Sequence, residues 1–283
     1  MMNTLKSFIL MAALTALFMF AGQALGGSQG MAFALVMAFA MNFFAYWFSD
    51  KMALAMSRAQ PIDSSQAPEL YALVRKLSGN AGLPMPKVYI IHSDTPNAFA
   101  TGRNPQHAAI AVTRGLLRLM QSEELEGVLA HELGHIKNRD ILISSIAAVM
   151  AGAISYLATM AQWALFFGGF SRNDEDGEGA GGAIGAIFMM ILAPLAAALI
   201  QMAISRSREF QADATGAAIC GKPQGLAKAL QHLERYNKQL PMQVNPATAQ
   251  MYIVNPLSAS SLANLFSTHP PIQERVRRLL QGR

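Results

Sequence analysis

Apolar residues fall along this chain in four long blocks, with polar stretches between them that read as soluble protein. The first block runs from about Ser7 to Ala21 and the second from about Met31 to Phe48. Only the small-residue linker GQALGGSQG separates them, which predicts a helical hairpin. The third block covers Ile141 to Phe170, more than one bilayer crossing needs, and the fourth about Ala183 to Ser205, where Pro194 predicts a kink. Between these two lies the polar, glycine-rich loop SRNDEDGEGAGG. A cleaved signal peptide is the other reading of the first block, since Lys6, an apolar core and small residues near Ala24 fit that template. The second apolar block directly behind it favours a retained anchor.

The polar stretches carry helix and strand patterns of ordinary length. PELYALVRKLSGNAG predicts an amphipathic helix ending at glycine, and KVYIIHSD a short strand. NAFATGRNPQHAAIAVT predicts two strands joined by the turn residues Gly102 to Pro105. TRGLLRLM then leads into a helix capped by Ser122, with Glu123 and Glu124 on its first turn and a core-facing stripe of Leu125, Leu129, Glu132, Leu133 and Ile136. Beyond the fourth block come a helix bearing Arg206, Arg208, Glu209 and Asp213, another around Leu226 to Tyr236, a loop, and a basic terminal helix. The chain therefore reads as mainly α and integral to a membrane. Residues 1–50 form one transmembrane hairpin and 141–205 a second with a polar loop at 171–182, while 51–140 and 206–283 supply two parts of one α+β domain.

Composition sharpens this picture. Of 283 residues, 52% are apolar and 14% charged, and mean hydropathy is +0.27, high for a soluble enzyme. The balance of +5 comes without a basic run interleaved with aromatics, so nucleic acid is not an expected partner. Basic residues beside apolar blocks account for it. A single cysteine, Cys220, excludes an internal disulfide and a cysteine-based metal site.

The chemistry lies in EGVLAHELGHIKN, where His131, Glu132 and His135 form an H-E-x-x-H pattern. Residues four apart on a helix share a face, so both imidazoles can aim at one ion, with Glu132 beside them free to act on a bound water. A carboxylate set in an apolar stripe is costly unless it is paired or used. The strands that precede this helix place a sheet edge near the ion, where an extended peptide can add. His92 and His107 read as ordinary surface or core histidines. A catalytic metal needs a third protein ligand. The HExxHxxGxxH version is absent, because Asn138 and Ile141 occupy those positions. Downstream, Glu209 and Asp213 lie four apart in SREFQADATGA: Glu209 can ligate while Asp213 fixes a histidine tautomer, or the two form an exposed acidic pair with arginine partners.

Two crossings separate His135 from Glu209, so both halves of such a site share one side of the membrane. Lys6, Lys51, Arg58, Lys137, Arg139, Arg206 and Arg208 flank the blocks on that side, whereas the first linker has no Lys or Arg and the acidic loop only Arg172. The positive-inside rule makes that side cytoplasmic, with both termini.

With HELGH, SREFQADATGA, NAFATG and the terminal THPPIQER in this order, the chain resembles the bacterial HtpX-type membrane metalloproteases, and more distantly is similar to the CAAX prenyl proteases. The resemblance covers essentially the whole chain. It implies a zincin-like (gluzincin) α+β catalytic domain in the inner membrane, with one Zn²⁺ held by His131, His135 and Glu209, and Glu132 as general base. It further implies that Asn97, Ala98, Phe99, Ala100 and Thr101 belong to a substrate-binding edge, and that His269 and Arg275 lie near the scissile carbonyl. There they could donate to a developing oxyanion. Without the resemblance, His269 reads as a turn residue and Arg275 as a helix-surface charge. The implied substrates are misfolded or surplus membrane proteins. The rival reading is a catalytically silent membrane adaptor or chaperone with a structural zinc, which would require a fourth protein ligand.

Overall fold

In the computed structural model, residues 2–148, 150, 206–239, 249, 251–255 and 269–282 are described. The expected fourth span with Pro194, the loop at 171–182 and the third span beyond residue 150 lie outside them. Helix α1, Met2–Met56, is helical throughout yet reverses direction at Gly27, whose φ of 58° is left-handed. Gly22 and Gly30 meet across the reversal so closely that a Cβ on either would lie 2.4 or 2.3 Å from the other's carbonyl oxygen. Further along, the Asn42 amide donates to Met11 O at 3.2 Å and to Thr15 Oγ1 at 2.8 Å, tying the two arms together. The second arm, Gly27–Met56, is long and apolar enough to cross a membrane and is mostly unburied. Phe33, Phe39, Phe43, Phe44 and Trp47 all stand exposed along it.

The end of α1 leads into a four-stranded mixed sheet. Strands β1 (Ala59–Pro61), β2 (Lys87–Ile91), β3 (Ala98–Gly102) and β4 (Ala108–Thr113) lie in the order β1-β2-β4-β3. Strands β2 and β4 pair in parallel, and β3 and β4 antiparallel with Phe99 opposite Ala111. The β3–β4 connection needs glycine at 102, where φ is 142° and a Cβ would lie 2.4 Å from His107 O. Strand β1 did not stand out in the sequence, because three residues ending in proline carry no alternation. Helix α2 (Pro68–Ala81) ends at Gly82 in the left-handed conformation. The short α3 (Arg114–Leu119) is capped by Thr113, whose hydroxyl accepts from Leu116 N.

Helix α4, Ser122–Lys137, is the centre of the main core. Its N-cap is Gln121 rather than Ser122, and the Glu124 carboxylate reaches back to accept from Gln121 N at 3.0 Å. Nor does it bury a stripe: every residue from Gly127 to Gly134 is buried. Glycines allow this. A Cβ on Gly127 would lie 2.5 Å from Leu226 N, and one on Gly134 2.8 Å from Ala212 O, so two helices approach one face of α4 closely, about two turns apart. These neighbours are α5 (Arg206–Cys220) and α6 (Pro223–Gln239), with α7 (Ile272–Gln281) lying against both. Residues 141–148, helical after a turn at Arg139, pack through Leu142, Ile143 and Ile146 beside Met11 and Ala45 of α1.

Candidate metal centre

On α4 the one-turn spacing puts the two imidazoles face to edge, with His131 Nε2 and His135 Nε2 3.1 Å apart. Helix α5 crosses the same stretch; Gly216 packs so tightly that a Cβ there would lie 2.8 Å from His131 N. That approach carries Glu209 to the pair, with Oε2 3.9 Å from His131 Nε2 and Oε1 3.6 Å from His135 Nε2. One donor atom from each of His131, His135 and Glu209 falls within a group 4.8 Å across. Two imidazole nitrogens about 2.05 Å from a tetrahedral ion would be roughly 3.3 Å apart. The separation present, and the borderline-soft N/N/O donor set, fit a divalent metal such as zinc.

The outer nitrogens are already engaged. His131 Nδ1 lies 2.9 Å from Asp213 Oδ1, and His135 Nδ1 3.1 Å from Asp140 Oδ2. Each of the two histidines thus has its own carboxylate, which leaves Nε2 of both pointing inward. Asp140 reaches back because Arg139 adopts a left-handed φ of 57°, unusual for a non-glycine residue. Five residues from His135 and across a helix terminus, it gave no periodic signal for this contact.

Arg275 is fully buried and grips Asp213 with two bonds, Nε to Oδ2 at 2.8 Å and an Nη to Oδ1 at 2.7 Å. Its other Nη donates to Ile253 O at 3.0 Å. The guanidinium therefore faces the carboxylate behind His131, with its nearest approach to Glu209 at 3.4 Å. His269 Nδ1 lies 3.4 Å from the same oxygen, Glu209 Oε2.

These neighbours set the proton affinities. Burial pushes Glu132 up, Glu209 adding to it, and the result is about 7 despite the His135 charge and the Ala100 N–H. Burial lowers His131, against the pull of Asp213. Burial would lower His135 too, but Asp140, with Glu209 and Glu132, raises it to about 10. Glu209 is raised by burial, yet His269, His135 and Arg275 hold it well below the usual carboxylate range. Burial likewise opposes ionisation of Asp213, and the Arg275 contacts outweigh it, leaving about 2.

Strand β3 lies against α4, and its outer edge is engaged at each alternate residue. Ala98 O accepts from Ile253 N at 3.0 Å, Ala100 N donates to Glu132, and Gly102 N faces Ser145 Oγ at 3.5 Å. Asn97 is buried, its amide donating to Val254 O and its Oδ1 accepting from Ala98 N. Phe99 packs edge-on against Tyr252, and Thr101 Oγ1 lies 2.7 Å from Ser145 Oγ. The partners at 252–254 and 145 are far from β3 in the chain, and no local pattern announced them.

Two histidines and a glutamate on packed helices, with a further buried carboxylate beside them, fit the centre of a metallopeptidase. Peptidase family M48 matches residues 64–282, and the chain belongs to that family. It is 61% identical over 281 residues to a "Protease HtpX homolog" of Desulfatibacillum aliphaticivorans, covering 99% of this chain and 90% of that one. A second "Protease HtpX homolog", of Persephonella marina, is 59% identical over 284 residues, covering 99% and 97%. Among solved structures, the crystal structure of S. mikatae Ste24p shares the fold, with a TM-score of 0.53 at 21% identity. The match takes in 98% of this chain and 65% of that longer one. The protein is a metalloprotease, and its exposed apolar helix fits a membrane protein.

Proposed function

We propose that this chain is a zinc-dependent endopeptidase of the bacterial inner membrane, cleaving misfolded or surplus membrane proteins on the cytoplasmic side. In this reading the arms of α1 and the two later apolar blocks form four spans, and the parts at 51–140 and 206–283 form one catalytic unit. The observation that carries it is the convergence of His131 Nε2, His135 Nε2 and Glu209 beside a buried carboxylate that makes no part of the triad. The cationic residues that flank the apolar blocks support the orientation.

His131, His135 and Glu209 would hold the ion, which when bound polarises the scissile carbonyl and makes the attacking water more acidic. Glu132 takes the proton from that water and delivers it to the departing amine. A carboxylate raised to about 7 is matched to both transfers at neutral pH. Asp213 and Asp140 hold the two imidazoles in one tautomer and orientation, and Arg275 keeps Asp213 ionised. His269, beside Glu209, is the donor assigned to the developing oxyanion. The substrate edge is Ala98 to Thr101, with Asn97 fixing the start of the strand; Ala100 N becomes available as Glu132 turns to water. Against a silent adaptor with a structural zinc stands the ligand count: among the described residues the metal-ligating group has three members, not four.

The test follows casein on a gel with the purified, detergent-solubilised protein. Wild type cleaves with zinc and stops with chelator, while Glu132→Gln still binds one zinc per chain and does not cleave. Full activity of Glu132→Gln would sink the mechanism; zinc binding without cleavage in wild type would favour the adaptor.

A further inference from the structure

Where β3 ends, the sheet touches the part of α1 that carries the exposed aromatics. The guanidinium of Arg103, one residue beyond Gly102, lies 4.8 Å over the ring of Trp47. Trp47 sits in a cluster of exposed rings, Phe43, Phe44 and Phe48, with the Lys51 ammonium 5.3 Å over Phe48. An amphipathic tryptophan under a guanidinium, with a lysine one turn further on, fits the boundary between hydrocarbon and headgroups. On the same level, Ser145 bridges the Gly102 end of β3 to the helix at 141–148, which packs beside Ala45. From there α1 continues up the sheet face, so that Ala53 and Leu54 share a cluster with Phe99 and Tyr252. The strand therefore climbs from the aromatic belt at Gly102 towards Ala98.

Glu132 meets this strand at Ala100 N. From Gly102 to Ala100 is two residues, about 7 Å of extended chain. The headgroup layer of one leaflet is itself about 5–7 Å deep. The reacting atoms thus stand at headgroup height. At the far end Ile253 N meets Ala98 O at 3.0 Å, whereas on the belt side Gly102 N meets Ser145 Oγ at 3.5 Å, so the longer contact, the one a chain displaces on its way to Ala100, is on the belt side.

We propose that the site cuts polypeptides within a few residues of the bilayer surface, its height fixed by the Trp47–Arg103 contact, so that its substrates are unfolded segments directly adjoining a membrane-anchored helix. This rests on the membrane-protease reading above and adds a measure to it. Distance from the membrane, rather than sequence alone, selects the bond.

The experiment uses the full chain in phosphatidylcholine–phosphatidylglycerol vesicles. The substrate is one apolar helix followed by a flexible segment in which a casein-derived cleavable sequence is repeated, and cut positions are read by mass spectrometry. Cuts are expected within about six residues of the last apolar residue. A Gly-Ser spacer before the first repeat should lower cleavage about tenfold, by moving the cleavable bonds out of reach. Even cutting over the repeats, indifference to the spacer, or an uncut tethered chain would overturn the inference. Casein in detergent runs alongside. If wild type cuts casein and Glu132→Gln does not, the protease reading stands whichever way the tethered substrate behaves; if neither substrate is cut, the protease reading itself fails. Arg103→Ser should keep casein cleavage and scatter the tethered cuts, and a distribution as sharp as wild type would remove the contact from the argument.

Discussion

Replacing Arg275 by methionine would leave Asp213 ionised and buried with its guanidinium partner gone. Arg275 is 0% exposed and makes two bonds to that carboxylate, at 2.8 and 2.7 Å. Breaking a buried, hydrogen-bonded ion pair by removing one partner costs about 3–5 kcal/mol. The depressed Asp213 value points the same way: burial opposes ionisation, but Arg275 first and His131 after it outweigh burial, so the ionised carboxylate is favoured by a few kcal/mol in the fold. The sign follows from the depressed value. This stabilisation is complete above about pH 4 and is lost as the pH falls towards 2. The loss should be read on metal-free protein in detergent, as a melting temperature lower by roughly 10 °C at pH 7 with the gap closing in acid. Zinc affinity, measured by chelator competition, should fall about 10–100-fold because His131 loses its orientation. Arg275→Lys should lie between, since it keeps the charge but not the fork. An Arg275→Met protein that melts and binds zinc like wild type, with only kcat reduced, would refute the reasoning and return Arg275 to the oxyanion role that the resemblance implied.

Three further outcomes are expected. Asp140→Asn should weaken metal binding about 10–100-fold by freeing the His135 ring; unchanged affinity in the same competition assay would dismiss Asp140 as an orienting group. In the metal-free chain His135, raised to about 10 against burial by Asp140, is protonated at neutral pH and must lose that proton to ligate. Calorimetry in buffers of different ionisation heat should therefore detect about one proton released per metal at pH 7.5, and no buffer dependence would contradict it. Gly216→Ala should destabilise, because the new Cβ would lie 2.8 Å from His131 Cα and N. Overpacking costs of about 1–3 kcal/mol exceed the gain in helix propensity of about 1 kcal/mol, so a raised melting temperature would count against the close α4–α5 contact.

What the amino-acid sequence determined by itself was local. A helical period fixes which residues share a face, so the spacing of His131 and His135 set their common aim before any tertiary contact. Strand alternation, and the glycines at 82 and 102, located α2, β2 and the β3–β4 pair for the same reason. Only the tertiary structure decided what stands behind each of these histidines. Arg275 reaches Asp213 across 62 residues, and Asp140 reaches His135 around a left-handed turn, neither of which any period records. The stripe expected on α4 became burial all round because Gly127, Gly134 and Gly216 let α5 and α6 close on one face, while α2 and β3 also pack against the helix. The outer edge of β3, legible as a strand, proved to be filled by Ile253, Glu132 and Ser145. Periodicity reports forces between near neighbours in the chain. Which distant segments meet is set by how closely helices and strands can pack, and that depends on all of them at once.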